Sequence, residues 1–331
     1  AKHEAMGRLP STTPTLSARS LTRVYGEVRA LDGVDLDLFG GEVVALLGVN
    51  GAGKTTLMRI LCGLDAPSTK KGVLRTSSSA SLREVVGYCP QELTIWGDLT
   101  AKEQVAMLGR LHGASARDAS ARADHLLSTL GLAERAGALA STFSGGMKRR
   151  LSIAMALVHD PEVLILDEAE VGLDPQSRVN LRSFITRLAR QEGKAILLST
   201  HGIDEVERIA DRVVILDKGK VVASGAPDEL VEVFGGHVTI TLDLSGEVLS
   251  SANGKALLDA LEASFARELD VSEEGRVLIS HEGGADALEQ VAAMAREHGV
   301  RWQHLGASRP GLEEIFLSHT TDEKRGAYEP R

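Results

Sequence analysis

The chain has 331 residues, enough for a full hydrophobic core and two domains. A formal net charge of −9 and a pI of about 5.6 argue against a nucleic-acid binder, which would show a basic face, and the longest basic run is Lys148-Arg149-Arg150. No apolar run approaches the roughly 20 residues of a membrane span, and residues 1–17 lack the apolar segment of a signal peptide, so the expected location is the cytoplasm.

Residues 1–15, rich in Ser, Thr and Pro, read as a flexible tail. A strand pattern runs near Leu16–Val24, and a second through Val34–Leu38 with clean alternation. Gly40-Gly41 turns the chain into the apolar run Val43–Leu47, which reads as a buried strand. Then comes Gly48-Val49-Asn50-Gly51-Ala52-Gly53-Lys54-Thr55-Thr56, a match to G-x-x-x-x-G-K-[ST]. A helical pattern with Leu57, Ile60, Leu61 and Leu64 on one face follows. Strand, glycine loop and helix are the context in which this loop cradles phosphate. Glycines let backbone N–H groups approach the anion, and the helix N-terminus adds positive potential. Lys54 is expected to reach the β- and γ-phosphates, and the Thr55 hydroxyl to bind Mg²⁺. Cys62 on this helix reads as core. With Cys89 as the only other cysteine, the chain has neither a disulfide framework nor a C-x-x-C zinc site.

From about residue 92 to 160 the pattern is helical. Val105, Leu108 and Leu111 form one stripe; Leu126, Leu127 and Leu130 another; Met147, Leu151, Ala154 and Val158 a third. Strand-like runs return at Val163–Leu166, Ala195–Leu198 and Val213–Leu216, with a helix through Phe184, Ile185 and Leu188 between the first two. This alternation implies an α/β fold: a parallel sheet flanked by helices, with a helical subdomain inserted. Near residue 235 a smaller α/β domain begins. Strands at 237–244, 276–280 and 300–305 alternate there with helices at 255–267, 285–298 and 312–319. Residues 321–331 read as a charged tail.

Four further motifs bear on chemistry. Val163-Leu164-Ile165-Leu166-Asp167-Glu168 is a buried strand with acids at the edge where α/β sheets bind ligands. Asp167 is expected to hold Mg²⁺ through water, and Glu168 to act as general base on the attacking water. In Phe143-Ser144-Gly145-Gly146-Met147, Ser144 is a good N-cap, and the two glycines open a second helix N-terminus toward an anion. Gln91 follows Pro90, where a neutral amide can touch Mg²⁺ or the lytic water. His201 ends the apolar run Leu197-Leu198-Ser199-Thr200, placed to donate a hydrogen bond to the γ-phosphate.

Taken in this order, the motifs resemble the nucleotide-binding subunit of an ABC transporter over roughly residues 16–235. The resemblance implies a P-loop ATPase cassette, a RecA-like core with an inserted helical subdomain, followed by an accessory domain over 236–320. It implies that Tyr25 stacks on adenine, with a strand-end core tyrosine as the alternative. It also implies that Ser144, Gly145 and Gly146 contact the ATP of a second copy, and that Asp174 in Gly172-Leu173-Asp174-Pro175 couples the two sites. Two chains would sandwich two ATP molecules head to tail. The signature run through Leu151 and the segment Pro310–Leu317 are similar to exporters of the daunorubicin-resistance type, whose ATPase and polytopic membrane subunit are commonly separate chains. The subunit would then sit at the inner face of the cell membrane through that partner. A cassette acting as a conformational switch on a membrane or envelope complex, and an importer ATPase with a ligand-sensing tail, are the alternatives.

The chain departs from this family pattern at several positions. Val49 stands where Pro is common, and Met147 where a Gln would offer a polar ribose contact. Ala169-Glu170 replaces the usual Pro-Thr or Pro-Ser after the catalytic Glu. The extra carboxylate of Glu170 is expected to slow hydrolysis by raising the pKa of its neighbours. The segment between Leu64 and Gly87 is compact.

Overall fold

A computed structural model describes residues 13–77, 80–200, 202–234, 238–265, 269–272, 275–281, 284–308, 311–313 and 315–316. Strands β1 (Pro14–Tyr25) and β2 (Val28–Phe39) pair antiparallel around a tight turn, where Gly26 takes φ 58. Pro14 and Thr15, expected at the end of the tail, instead open β1, because Pro14 lies opposite Phe39. Strand β3 (Val43–Leu47) runs through a loop into helix α1 (Lys54–Leu61), and β4 (Val73–Thr76) returns to β1, giving a three-stranded sheet of order β2-β1-β4.

Helix α2 (Leu82–Val85) and strand β5 (Val86–Cys89) lead to helices α3 (Ala101–Leu111), α4 (Ala116–Thr129) and α5 (Gly145–Ala156). Each of the three helices starts on a hydroxyl cap: Thr100 in a capping box with Glu103, Ser115, and Ser144. The apolar stripe expected on α3 is only partly buried. Val105 is inside, but Leu111 is 74% exposed. Leu111 is the last residue of α3, where the helix ends in the turn at His112 and Gly113. The close approach is made by Gly109, where a Cβ would come within 3.1 Å of Val158 and 3.2 Å of Ala119.

Strand β6 (Val163–Asp167), helix α6 (Pro175–Arg190), strand β7 (Ala195–Ser199), helix α7 (Ile203–Ile209) and strands β8 (Arg212–Asp217) and β9 (Lys220–Gly225) complete the unit. The main sheet has the order β5-β6-β7-β3-β8-β9, parallel except for the β8–β9 pair. Every residue of β3, β6 and β7 is buried, which is why those strands read as unbroken apolar runs. One core joins the two sheets. It contains Leu16, Leu21 and Leu36 from the antiparallel sheet, Leu57, Ile60 and Leu61 from α1, and Val163, Ile165 and Leu197 from the parallel sheet. Each such side chain contributes about 2 kcal/mol of transfer free energy. The chain order reverses at β3, so the C-terminal ends of β3, β6 and β7 open onto one crevice, where ligands bind such sheets.

The chain divides into two compact units, Ala1–Pro227 and Asp228–Arg331. The sequence-based boundary near residue 235 falls in 235–237, outside the described residues. Helix α8 (Pro227–Phe234) is followed by β10 (Val238–Asp243), α9 (Gly246–Ser250), α10 (Ala252–Ser264), β11 (Leu269–Val271), β12 (Arg276–His281), α11 (Gly284–Glu297) and β13 (His304–Ser308). The strands form an antiparallel sheet of order β11-β12-β10-β13 over a core of Ile240, Leu242, Leu257, Leu261, Ile279 and Val291. The strand expected at 300–305 starts later, at His304. Val300 packs into the core instead, just after Gly299 ends α11 at φ 66. Of the helix expected at 312–319, residues 312–313 and 315–316 are helical, and the other half, like the charged tail, lies outside the described residues.

Candidate active site

The loop between β3 and α1 is built on glycines that nothing else replaces. Gly53 takes φ 107, and a Cβ there would stand 2.4 Å from the Ala30 carbonyl oxygen. At Gly48 it would stand 2.5 Å from the Leu216 carbonyl oxygen. Gly51 takes φ 84, while Asn50 is exposed and Ala52 is buried, its carbonyl accepting from Gly219 N–H at 2.9 Å. Gly53 is also the N-cap of α1 and offers no side chain, so the first N–H groups of the helix stay available at the loop mouth. Lys54 curls back over this loop: Nζ donates to the Gly48 carbonyl at 2.6 Å and the Val49 carbonyl at 3.2 Å. Burial lowers the Lys54 pKa, and the Glu168 and Asp167 carboxylates oppose that shift. Thr55 and Thr56 follow on the first turn, Thr55 exposed and Thr56 partly so.

Two strands away, β6 delivers Asp167, which is 1% exposed. Two hydroxyls hold its carboxylate: Ser199 donates to Oδ1 at 2.7 Å and Tyr88 to Oδ2 at 3.4 Å. Burial and the Asp167 charge push the Tyr88 pKa up, so it stays a donor. Glu168 takes φ 49, a left-handed conformation that costs a non-glycine residue about 1 kcal/mol. Its N–H donates to the same Ser199 oxygen at 2.9 Å, and its Oε2 accepts from Gln91 Nε2 at 2.7 Å. The structure therefore brings Lys54, Gln91, Asp167 and Glu168 to one crevice. Thr55, Gln91 and Asp167 together offer hydroxyl, amide and carboxylate oxygens, a hard donor set that fits Mg²⁺.

Ser144 caps α5 through Met147 N–H at 3.3 Å and is exposed, as is Gly145. Gly146 lies close enough to Leu173 that a Cβ would meet its Cδ2 at 3.3 Å. Asp174 caps α6, accepting from Ser177 N–H at 2.9 Å and from Ser177 Oγ at 2.6 Å, and these bonds lower its pKa. Tyr25 ends β1 and is 43% exposed, which disposes of a core role. Arg23 lies 4.5 Å from its ring centroid and pairs with Asp65 at 2.7 Å, while the Tyr25 hydroxyl donates to Asp65. Tyr25 is thus a braced, solvent-facing ring. His201 lies outside the described residues.

Sequence reasoning assigned no role to Ser199, Tyr88 or Arg23. The signal for Ser199 was a hydroxyl at the end of an apolar strand. Its meaning depends on the register that sets it opposite Asp167 on a neighbouring strand.

A glycine loop clasping a buried lysine, facing a hydroxyl-braced aspartate and glutamate at the same sheet edge, defines a P-loop nucleotide-hydrolysing protein. Residues 31–171 match the ABC transporter family. The linearmycin resistance ATP-binding protein of Bacillus subtilis is 34% identical, with 92% of this chain and 98% of that protein covered. The daunorubicin/doxorubicin resistance ATP-binding protein of Streptomyces peucetius is 36% identical, with 94% of each covered. The Nod factor export ATP-binding protein I of Rhizobium meliloti is 35% identical, with 94% and 90% covered. Among solved structures, an ATP-binding subunit of an ABC transporter superposes with a TM-score of 0.61 at 31% identity, over 67% of this chain and 94% of that one. A dimeric ATP-binding cassette in a post-hydrolysis state with ADP and Pi gives 0.58 at 26% identity, over 64% and 98%.

The chain belongs to the ABC transporter family, as an ATPase subunit of an ABC exporter. That membership implies a membrane partner. Among the described residues, no helix is long and apolar enough to cross a membrane.

Proposed function

We propose that this subunit hydrolyses ATP at a shared site between two copies of itself and drives a separate polytopic membrane subunit. The observation that carries the reading is the Gln91–Glu168–Ser199–Asp167 run of hydrogen bonds across from Lys54. Lys54 and the N–H groups at the start of α1 bind the phosphates, and Tyr25 stacks on the adenine. Asp167, with Thr55 and Gln91, holds Mg²⁺, which supplies charge neutralisation on the phosphate oxygens. Glu168 takes a proton from the attacking water, and His201 donates a hydrogen bond to the γ-phosphate. Ser144, Gly145 and Gly146 of one copy cover the nucleotide of the other, and Asp174 lies between the two sites.

The crevice supports this assignment because burial and fixed dipoles make its charge–charge interactions strong. The dimeric form of a related cassette supports the shared site. The names of the relatives are resistance and export proteins, which supports export over import. The test is turnover of Mg-ATP by the wild type beside Glu168→Gln. Turnover should be lost in the variant while ATP binding is kept. A variant as active as the wild type would remove Glu168 from the base role.

A further inference from the structure

One buried guanidinium ties helix α5 to the turn that carries Gln91. Arg149 lies in the second turn of α5 and is 4% exposed. Nη1 donates to the Pro90 carbonyl at 2.7 Å, and Nη2 to the Gln91 carbonyl at 2.8 Å. The parallel pairing of β5 with β6 ends at Cys89, opposite Leu166. Beyond that point Arg149 holds the main chain in place of a strand ladder. The side chain of the same Gln91 donates to Glu168 Oε2 at 2.7 Å. A continuous run of hydrogen bonds thus joins the carboxylate of Glu168 to the helix that begins at Ser144 and Gly145.

The guanidinium is the right group for this place. Its planar fork satisfies two adjacent carbonyls at once and fixes the direction between them, which a lysine ammonium does not. The tie is not the only contact between the two elements: Cys89 Sγ and Ser152 Oγ lie 3.3 Å apart. With that contact kept, losing the fork is expected to free the turn that aims Gln91.

We propose that Arg149 is a positioning residue for hydrolysis. It ties the Gln91 turn to α5, so that the placement of the Ser144–Gly146 loop sets the contact between the Gln91 amide and Glu168. This rests on the reading of Glu168 as the base and of that loop as the cover of the second nucleotide. The Arg149 guanidinium donates to the main-chain carbonyls of Pro90 and Gln91 and not to the Gln91 side chain, so replacing that side chain leaves these bonds intact.

That separation defines the experiment. ATP turnover, binding of a fluorescent ATP analogue and thermal unfolding are measured on the full chain for Arg149→Met, Gln91→Ala, the double variant and Glu168→Gln. Arg149→Met should lower kcat by about tenfold or more, the scale of a small misplacement at a reacting group. KM and analogue affinity should stay within about twofold. The double variant should be no slower than Gln91→Ala alone, because both changes cut one chain of contacts. Losses that multiply in the double variant, or a fall in nucleotide affinity that matches the fall in kcat, would overturn the proposal. If Arg149→Met does not fold, Arg149→Lys takes its place: reduced kcat with no added loss on Gln91→Ala supports the proposal, and multiplied losses contradict it. A fully active Glu168→Gln would instead sink the reading of the base. An inactive Glu168→Gln with multiplied losses in the double variant would sink the Arg149 proposal alone.

Discussion

Ser199 Oγ donates to Asp167 Oδ1 at 2.7 Å, and the two residues stand opposite each other on neighbouring parallel strands. The same oxygen accepts the N–H of Glu168, whose backbone is in the left-handed region. One hydroxyl therefore braces the proposed metal-holding acid and fixes the strained residue beside it. Ser199→Ala should destabilise the fold by about 1–3 kcal/mol, because a buried carboxylate oxygen and an N–H lose their partner. It should also raise the Mg²⁺ concentration needed for half-maximal turnover, with Ser199→Thr close to wild type. A Mg²⁺ titration of ATPase activity checks this, and an unchanged midpoint in the Ala variant would count against the brace.

Ser199 also marks where the sequence stopped being legible. The glycine loop, the acid pair and the helix cap at Ser144 could be read directly, because each depends on residues a few positions apart. The parallel strands could be read because burial on both faces makes them continuous apolar runs. Which strand neighbours which could not be read, since it depends on register between segments far apart in the chain. For that reason Ser199 and Tyr88 at Asp167, and Arg149 under Gln91, received no role. The stripe on α3 failed for a related reason. Gly109, with no apolar side chain to count, makes the close contact, and Leu111 is left in solvent.

His112 and His159 stack with ring centroids 4.0 Å apart. Burial, then the neighbouring His112, holds His159 down to about 4, against an ordinary value of 6.5. The folded value lies below the unfolded one, so between these values the unfolded chain binds more protons. This contribution is fully present above pH 6.5 and is lost as pH falls toward 4. Urea unfolding should show a loss of about 1–2 kcal/mol from about pH 7.5 to about pH 5 attributable to this residue. His159→Gln should flatten that slope; an equally steep slope in the variant would assign it to other groups.

Glu170 Oε2 is buried with no hydrogen-bond partner. A desolvated carboxylate oxygen beside the acid pair is unfavourable, and Glu170→Thr removes it. The variant should unfold at higher denaturant and turn over ATP faster. Unchanged turnover would mean that Glu170 does not slow the reaction.

Trp96 is 43% exposed, in a loop tied down by Gln104, which accepts from Trp96 N–H at 3.1 Å. Leu139 is exposed on the segment paired beside it, with Thr100 bridged to Leu139. Large apolar side chains presented together fit a contact with the membrane subunit. Trp96→Ala should abolish co-purification of that subunit while shifting the unfolding midpoint little. A variant that unfolds, or one that still binds, would point to a role within the helical segment instead.

The proposed function requires two copies to close on ATP. It is tested most directly by size-exclusion chromatography of Glu168→Gln with and without Mg-ATP. A monomer is expected without nucleotide and a dimer with it, because binding persists while hydrolysis that would reopen the dimer does not. A chain that binds ATP yet stays monomeric at every nucleotide concentration would contradict the shared site.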